Sequence, residues 1–106
     1  MSERILVLST VGTAEDAARI AHALVDRRLA ACVNVVPGVR SVYRWKGGVE
    51  EDEERLLVIK TRRDRFEALR EALVALHPYQ LPEAIVIPID AGHAPYLGWI
   101  DESVKV

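Results

Sequence analysis

The segment Arg28–Thr61 reads RLAACVNVVPGVRSVYRWKGGVEEDEERLLVIKT. Its two halves are rich in β-branched and aromatic residues, which favour strands, and they meet at Lys46-Gly47-Gly48, a sequence typical of a tight turn. We therefore predict a long β-hairpin with strands over Ala31–Trp45 and Val49–Thr61. The Pro37-Gly38 pair interrupts the first strand and indicates a bulge or bend.

The length of this hairpin predicts an oligomer. A fifteen-residue strand spans roughly 50 Å when fully extended, whereas a domain of this size has a radius of gyration of about 13 Å. The distal part of the hairpin therefore projects beyond its own helices while carrying Val42, Tyr43, Trp45 and Val49. Apolar side chains on an unpaired edge need covering, so we predict a closed symmetric assembly. This argument leaves dimer and trimer open.

The acidic run Glu50–Glu54 lies on the returning strand of the hairpin. It lies opposite the basic residues Arg40, Arg44 and Lys46 of the same hairpin. We interpret the run as a solvated edge that resists aggregation.

Hydrophobic patterning assigns two more strands and a helix. The β-branched segment Arg4–Val11 suits a central strand, and Thr13 is a candidate N-cap. Apolar residues at helical spacing then predict a helix from Ala14 to about Arg28. Alternating isoleucines predict a fourth strand over Ala84–Ile89, and its Pro88 indicates an edge position.

A second helix begins after a candidate capping pattern at Asp64–Glu67 and ends before Pro78. Its apolar stripe consists of Phe66, Leu69, Leu73 and Leu76. The tail Ala94–Val104 predicts a short docking helix. The resulting order, βαββαβ with this added helix, predicts an α+β ferredoxin-like sandwich, an antiparallel sheet with two helices on one face.

Length and composition limit the classes of protein to which this chain can belong. A chain of 106 residues, half of them apolar, fits one domain over residues 1–106. The net charge of −2 indicates neither a nucleic-acid nor a membrane partner. The apolar run Ile5–Leu8 is shorter than the roughly 7–15 residues of a signal peptide. A single cysteine, Cys32, favours a reducing compartment, so we predict the cytoplasm.

His77 is the most informative polar residue for metal chemistry. It follows a helix, precedes a proline and lies near Tyr79 and Glu83 in sequence. Imidazole binds copper and zinc well, but from spacing alone the favoured interpretation is that His77 forms local hydrogen bonds that fix the turn. The chain has no CxxC, no HxxxH and no GxSxG signature, so we predict that it is not an enzyme.

Four residues are candidates for a ligand pocket. Lys60 lies in an apolar strand, where its ammonium either reaches solvent or binds an anion. Trp45 and Tyr79 could wall a cleft or be buried at a subunit interface. Cys32 is expected to act as a small buried apolar residue unless its thiol is activated.

At these motifs the chain resembles the CutA family, which is named for divalent cation tolerance. The resemblance covers almost the whole chain. The motifs that carry it are RLAACVNVVPG at Arg28–Gly38, SVYRWKG at Ser41–Gly47, LVIKT at Leu57–Thr61, HPYQLPE at His77–Glu83 and YLGWI at Tyr96–Ile100. In combination they are highly specific.

The resemblance implies a ferredoxin-like subunit in a tight homotrimer, similar in plan to the PII signalling proteins. It also implies a part in copper and divalent-metal tolerance and brings no catalytic mechanism. In a copper-binding member the proposed ligands are a cysteine on the first strand and two consecutive histidines before Pro-Tyr. Those positions are Ser9 and Leu76-His77 here, so of that ligand set only His77 is carried over.

Two functions follow as hypotheses. The first is a non-enzymatic homotrimer that binds a divalent metal such as copper weakly, through His77 with help from Glu83, and has no obligatory cofactor. The second is a PII-like signalling or adaptor trimer. It would bind a small anion or a protein partner in clefts between subunits, with Lys60, Tyr79, Trp45 and Cys32 as pocket residues.

Overall fold

The computed structural model describes residues 3–106. Its elements in chain order are β1 (Arg4–Val11), α1 (Ala14–Asp26), β2 (Cys32–Trp45), β3 (Gly48–Arg62), a 3₁₀ turn (Arg63–Arg65), α2 (Phe66–Leu76), β4 (Ile85–Pro88) and α3 (Ala94–Ser103). The sheet order is β2-β3-β1-β4, and every neighbouring pair is antiparallel. This arrangement confirms the predicted α+β ferredoxin-like fold, with β1 central and Pro88 on an edge strand.

One face of the sheet packs against α1 and α2 and forms the main core. Alternate residues of β1 and β3 point to this side because side chains alternate along a strand. They meet the apolar stripes of the two helices. The fully buried members include Ile5, Val7, Val11, Leu57, Ile59, Ala17, Ile20, Leu24, Leu69 and Leu73.

The opposite face of the sheet, here called the open face, is covered at one end by α3. Ile100 of α3 and Val104, the residue that follows α3, are buried against Ala31. Leu6 is opposite both Lys60 and Ile87 on this face, and Leu8 is opposite Ile85. Ile85 and Ile87 stay 52% and 41% exposed, so the isoleucines of β4 lie outside the core.

The long hairpin has the predicted geometry. Trp45 pairs with Gly48, and the two residues between them have positive φ, 48° at Lys46 and 82° at Gly47. This is the combination that a tight hairpin turn of the I′ type needs. The pairing register shifts between Val36 and Val39, which confirms the predicted bulge at Pro37-Gly38.

The distal part of the hairpin, residues 39–54, is called the hairpin arm. β1 pairs with β3 only as far as Arg55, so the arm is two-stranded. Val42 and Val49 are 63% and 65% exposed on it. The molecule measures 44 × 25 × 23 Å, and the elongated shape agrees with a hairpin that outgrows the rest of the sheet.

Two predicted helix boundaries needed correction, the end of α1 and the start of α2. Helix α1 ends at Asp26 because Arg28 adopts a left-handed φ of 57°. The amides of Arg28 and Leu29 then bond to carbonyls of the last turn, as in a Schellman cap. The prediction that Asp64–Glu67 caps the second helix was wrong. A 3₁₀ turn precedes α2, and no side chain caps the first turn of this helix. The Asp64 carboxylate instead accepts a hydrogen bond from Arg62.

Candidate functional site: an acidic, aromatic cavity at the hairpin arm

A cavity of about 730 Å³ lies where the hairpin arm, the end of β1 and the loop after α2 meet. The arm contributes Ser41, Tyr43, Arg44, Trp45, Asp52, Glu53 and Glu54, and the other two segments contribute Thr10, Gly12, Thr13, Tyr79, Gln80, Leu81 and Glu83. Four of these side chains are carboxylates and one is a guanidinium. The cavity is therefore acidic, and three of its side chains are aromatic.

Glu54 and Tyr79 form the buried centre of the site. Glu54 is 6% exposed, and its Oε2 accepts a 2.6 Å hydrogen bond from the Tyr79 hydroxyl. Burial raises the pKa of the Tyr79 phenol, and so does its hydrogen bond to the Glu54 carboxylate. The phenol therefore stays protonated and acts as a fixed donor to the carboxylate.

A second tyrosine repeats this arrangement nearer the tip of the arm. The Tyr43 hydroxyl donates to Asp52 Oδ2, and this bond to a carboxylate raises the pKa of Tyr43 to about 12. Arg40 lies on the same arm and pairs with Glu51 at 2.5 Å. Each tyrosine thus orients one carboxylate of the cavity without neutralising its charge.

Glu83 brings a further carboxylate from the loop before β4. Burial raises its pKa above the ordinary value, and the nearby Glu54 charge raises it further. No ion pair joins Glu54 or Glu83 within residues 3–106. The two carboxylates therefore repel each other, and neither forms an ion pair with the single guanidinium of the cavity, that of Arg44.

His77 stands directly behind this site. It is 7% exposed, and its Nδ1 accepts a 3.1 Å hydrogen bond from the Tyr79 amide. Its Nε2 lies 2.9 Å from the Thr10 carbonyl, which can only accept, so Nε2 carries the proton. The Tyr79 ring lies 4.6 Å from the imidazole. The imidazole is thus a connector between α2 and β1, with both nitrogens bonded to backbone groups.

Gly12 leaves the space that Tyr79 occupies. A Cβ at Gly12 would lie 3.1 Å from the Tyr79 hydroxyl oxygen, a tight contact that would push the hydroxyl away by a few tenths of an ångström. The Gly12 carbonyl also accepts a 2.7 Å hydrogen bond from Arg55. Thr13 then caps α1 by accepting from the Asp16 amide at 3.1 Å, which confirms the predicted N-cap. The turn after β1 is therefore shaped around the tyrosine.

Comparison with known proteins supports the resemblance drawn from the motifs. The family model described as CutA1 divalent ion tolerance protein matches residues 5–103. The chain belongs to the CutA1 family.

Relatives within the CutA1 family share both sequence and structure with this chain. The divalent-cation tolerance protein CutA of Thermus thermophilus is 52% identical over 92% of this chain and 95% of its own length. A solved Cut A1 structure from that organism superimposes with a TM-score of 0.94 at 50% identity, and covers 96% of this chain and 99% of the other.

A plant relative is longer than this chain. The protein named CutA, chloroplastic, of Arabidopsis thaliana is 46% identical over 95% of this chain, which spans 56% of that relative. The chain thus spans little more than half the length of this CutA1-family member. Within residues 3–106 no helix is long and apolar enough to cross a membrane.

The structure divides the four predicted pocket residues of this CutA1-family chain into two places. Trp45 and Tyr79 line the cavity. Lys60 and Cys32 are opposite each other on the open face. There the Lys60 ammonium is 3.2 Å from the Tyr96 hydroxyl and 5.5 Å from the centre of its ring.

The sequence interpretation missed the cavity residues of the acidic run. It treated Glu50–Glu54 as solvated, whereas Glu54 is buried and Asp52 lines the cavity. One signal was available in the sequence. The two-residue turn sets the pairing register of the hairpin, and this register places Asp52 opposite Ser41, another residue of the cavity. Nothing local could show that Tyr79 would meet Glu54.

Metal ligands of the usual kind are not grouped in the described part of the chain. Residues 3–106 contain no cluster of three or more His, Cys, Asp or Glu side chains arranged to hold an ion. Ser9, at the strand-one position of the family's proposed copper ligand, is fully buried, and its hydroxyl has no hydrogen-bond partner among the described residues. Any cation bound here would keep part of its hydration shell.

Proposed function

We propose that this chain is a divalent-cation tolerance protein, a non-enzymatic CutA1-family trimer that binds divalent cations such as copper(II) weakly and needs no obligatory cofactor. Family membership and the names of the relatives support the role in cation tolerance. The observation that carries the binding site is the cavity at the hairpin arm, where four carboxylates are opposed by one guanidinium. Such an excess of negative charge attracts cations.

Glu83 and His77 are the proposed ligands. Glu83 lines the cavity with a carboxylate that burial and the Glu54 charge make costly to ionise, and a cation would relieve that cost. The imidazole of His77 can bind a metal only after one nitrogen gives up the Tyr79 amide or the Thr10 carbonyl. This exchange of a hydrogen bond for a metal bond supports weak binding.

The proposed assembly is a homotrimer of single domains. The open face leaves Ile85 and Ile87 half-exposed, and the arm exposes Val42 and Val49. Burial of these apolar surfaces between subunits supports association, and the resemblance to the PII plan selects three subunits. The cytoplasm is the proposed compartment because Cys32 is a free thiol, while the Arabidopsis relative carries a chloroplast designation.

A second candidate function is a PII-like signalling or adaptor trimer. The size and aromatic lining of the cavity favour it, because small-molecule sites typically measure about 300–1,000 Å³. Lys60 and Cys32 would form a separate contact surface on the open face in this case.

Native mass spectrometry during a copper(II) titration tests the first proposal. A trimer has a mass of about 35 kDa, three times the 11.8 kDa subunit. Three bound copper ions per trimer at low micromolar metal support the proposal. A trimer that stays metal-free throughout the titration contradicts it and leaves the signalling function.

Two variants separate the proposed copper ligands. We expect Glu83→Gln and His77→Gln each to weaken copper binding about tenfold while the trimer persists, because each removes one metal ligand. His22→Gln is the matched control, since His22 is exposed on α1. Copper affinity unchanged in His77→Gln would remove His77 from the ligand set.

A further inference from the structure

We propose that the cavity at the hairpin arm binds a small organic cation, a primary ammonium or guanidinium group on an apolar stem. The charge and lining of the cavity carry this inference, and it does not rest on metal binding. Such a ligand differs from a bare metal ion because it binds to the faces of aromatic rings as well as to carboxylates.

The first support is a buried carboxylate that faces the cavity with no cation beside it. Glu54 is 94% buried, and one of its two carboxylate oxygens, Oε2, accepts a hydrogen bond from the Tyr79 hydroxyl. Within residues 3–106 no basic side chain pairs with it. Buried carboxylates in proteins are ordinarily paired or hydrogen-bonded, and a positively charged group from outside the chain would complete the partners of Glu54.

The second support is the position of Glu83, whose carboxylate lines the same cavity as Glu54. A guanidinium or ammonium group between the two carboxylates would be hydrogen-bonded to both. These charge-assisted bonds need several N–H donors on one group, which guanidinium and ammonium supply.

The third support is the aromatic lining. Tyr43, Trp45 and Tyr79 all line the cavity, and cations are attracted to the faces of such rings. The Trp45 ring already has the Lys46 ammonium 5.8 Å from its centre. Leu81, which also lines the cavity and is 72% exposed, offers apolar contact for a stem. A hydrated dication keeps water between itself and the ring faces, and no cluster of three metal-ligating side chains occurs among the residues described.

Butylguanidinium is the probe, and butylurea, its neutral isostere, is the matched ligand control. The chain has two tryptophans: Trp45 in the cavity and Trp99 on α3. In an NMR titration we expect the indole N–H signal of Trp45 to move with butylguanidinium while that of Trp99 stays in place. Equal binding of butylurea, or a static Trp45 signal up to a probe concentration of about 20 mM, overturns the proposal.

Variants separate this site from a metal site. We expect Glu83→Gln to weaken butylguanidinium about tenfold and Trp45→Leu about threefold, followed through the amides of Gln80 and Glu83. Trp45→Leu should leave zinc(II) affinity within about twofold, because the indole is not a metal ligand. Copper(II) binding in native mass spectrometry without butylguanidinium binding overturns this proposal alone, and the reverse overturns only the metal proposal.

Discussion

Tyr79 is the residue on which the candidate site depends. Its ring packs against His77, its hydroxyl donates to Glu54, and a Cβ at position 12 would crowd that hydroxyl. Its amide also fixes which nitrogen of His77 carries the proton. One side chain therefore couples the end of α2, the end of β1 and the hairpin arm.

At the residue scale we expect Tyr79→Phe to lower the free energy of unfolding by about 1–3 kcal/mol, because it leaves a buried carboxylate without its donor. Chemical denaturation at pH 7 measures the change. Tyr96→Phe is the control, since the Tyr96 hydroxyl meets Lys60 at an exposed site, and it should change stability by about 0.5 kcal/mol or less. Equal losses in both variants would show that the buried bond adds nothing.

Helix α3 is held to the sheet by the carboxylate of Asp101 as well as by apolar contacts. Asp101 accepts hydrogen bonds from Arg4 at 2.5 and 3.0 Å and from Arg62 at 2.7 Å. The hydrogen bonds from Arg4, ahead of the one from Arg62, lower the pKa of Asp101 to about 2. The two arginines are opposite each other on β1 and β3, so Asp101 also spans two strands.

At the element scale we expect Asp101→Asn to destabilise the fold by about 1 kcal/mol at pH 7, a value discounted because Asp101 is 30% exposed. A carboxyl with a lowered folded pKa stabilises above its unfolded pKa of 3.8. The difference from wild type should therefore persist down to about pH 4 and vanish near pH 2. Urea titrations across this range measure it. Glu102→Gln, on the exposed side of α3, is the control and should stay flat; a pH-independent loss in Asp101→Asn would contradict an ionic contribution.

At the scale of the whole molecule, exposed apolar surface is unevenly distributed. Ile85 and Ile87 lie on the open face and Val42 and Val49 on the hairpin arm. The opposite face of the sheet is closed by α1 and α2. The surfaces available for association are therefore the open face and the arm, which agrees with the proposed trimer.

We expect Ile87→Lys to dissociate the trimer or weaken it at least about tenfold, because it places a charge in the proposed interface. Sedimentation velocity distinguishes a subunit of 11.8 kDa from its trimer. Val25→Lys is a matched control: Val25 is 42% exposed, as against 41% for Ile87, but lies on α1. Trimers that resist Ile87→Lys as well as they resist Val25→Lys would move the interface away from the open face.

The sequence by itself determined the hairpin, the order of the elements and the family, because these depend on local periodicity, turn chemistry and specific motifs. Its turn residues Lys46-Gly47 and its bulge at Pro37-Gly38 were predicted from such local rules, and the structure confirms them.

Tertiary structure alone decided which polar residues meet. Glu54 and Tyr79 are 25 positions apart and come together where the hairpin arm and the loop after α2 converge on the end of β1. Lys60 was predicted to share a pocket between subunits with Tyr79; within one subunit it lies six residues along β3 from Glu54 and opposite Cys32. Burial and charge pairing between distant segments depend on packing in three dimensions, which the local sequence pattern does not encode.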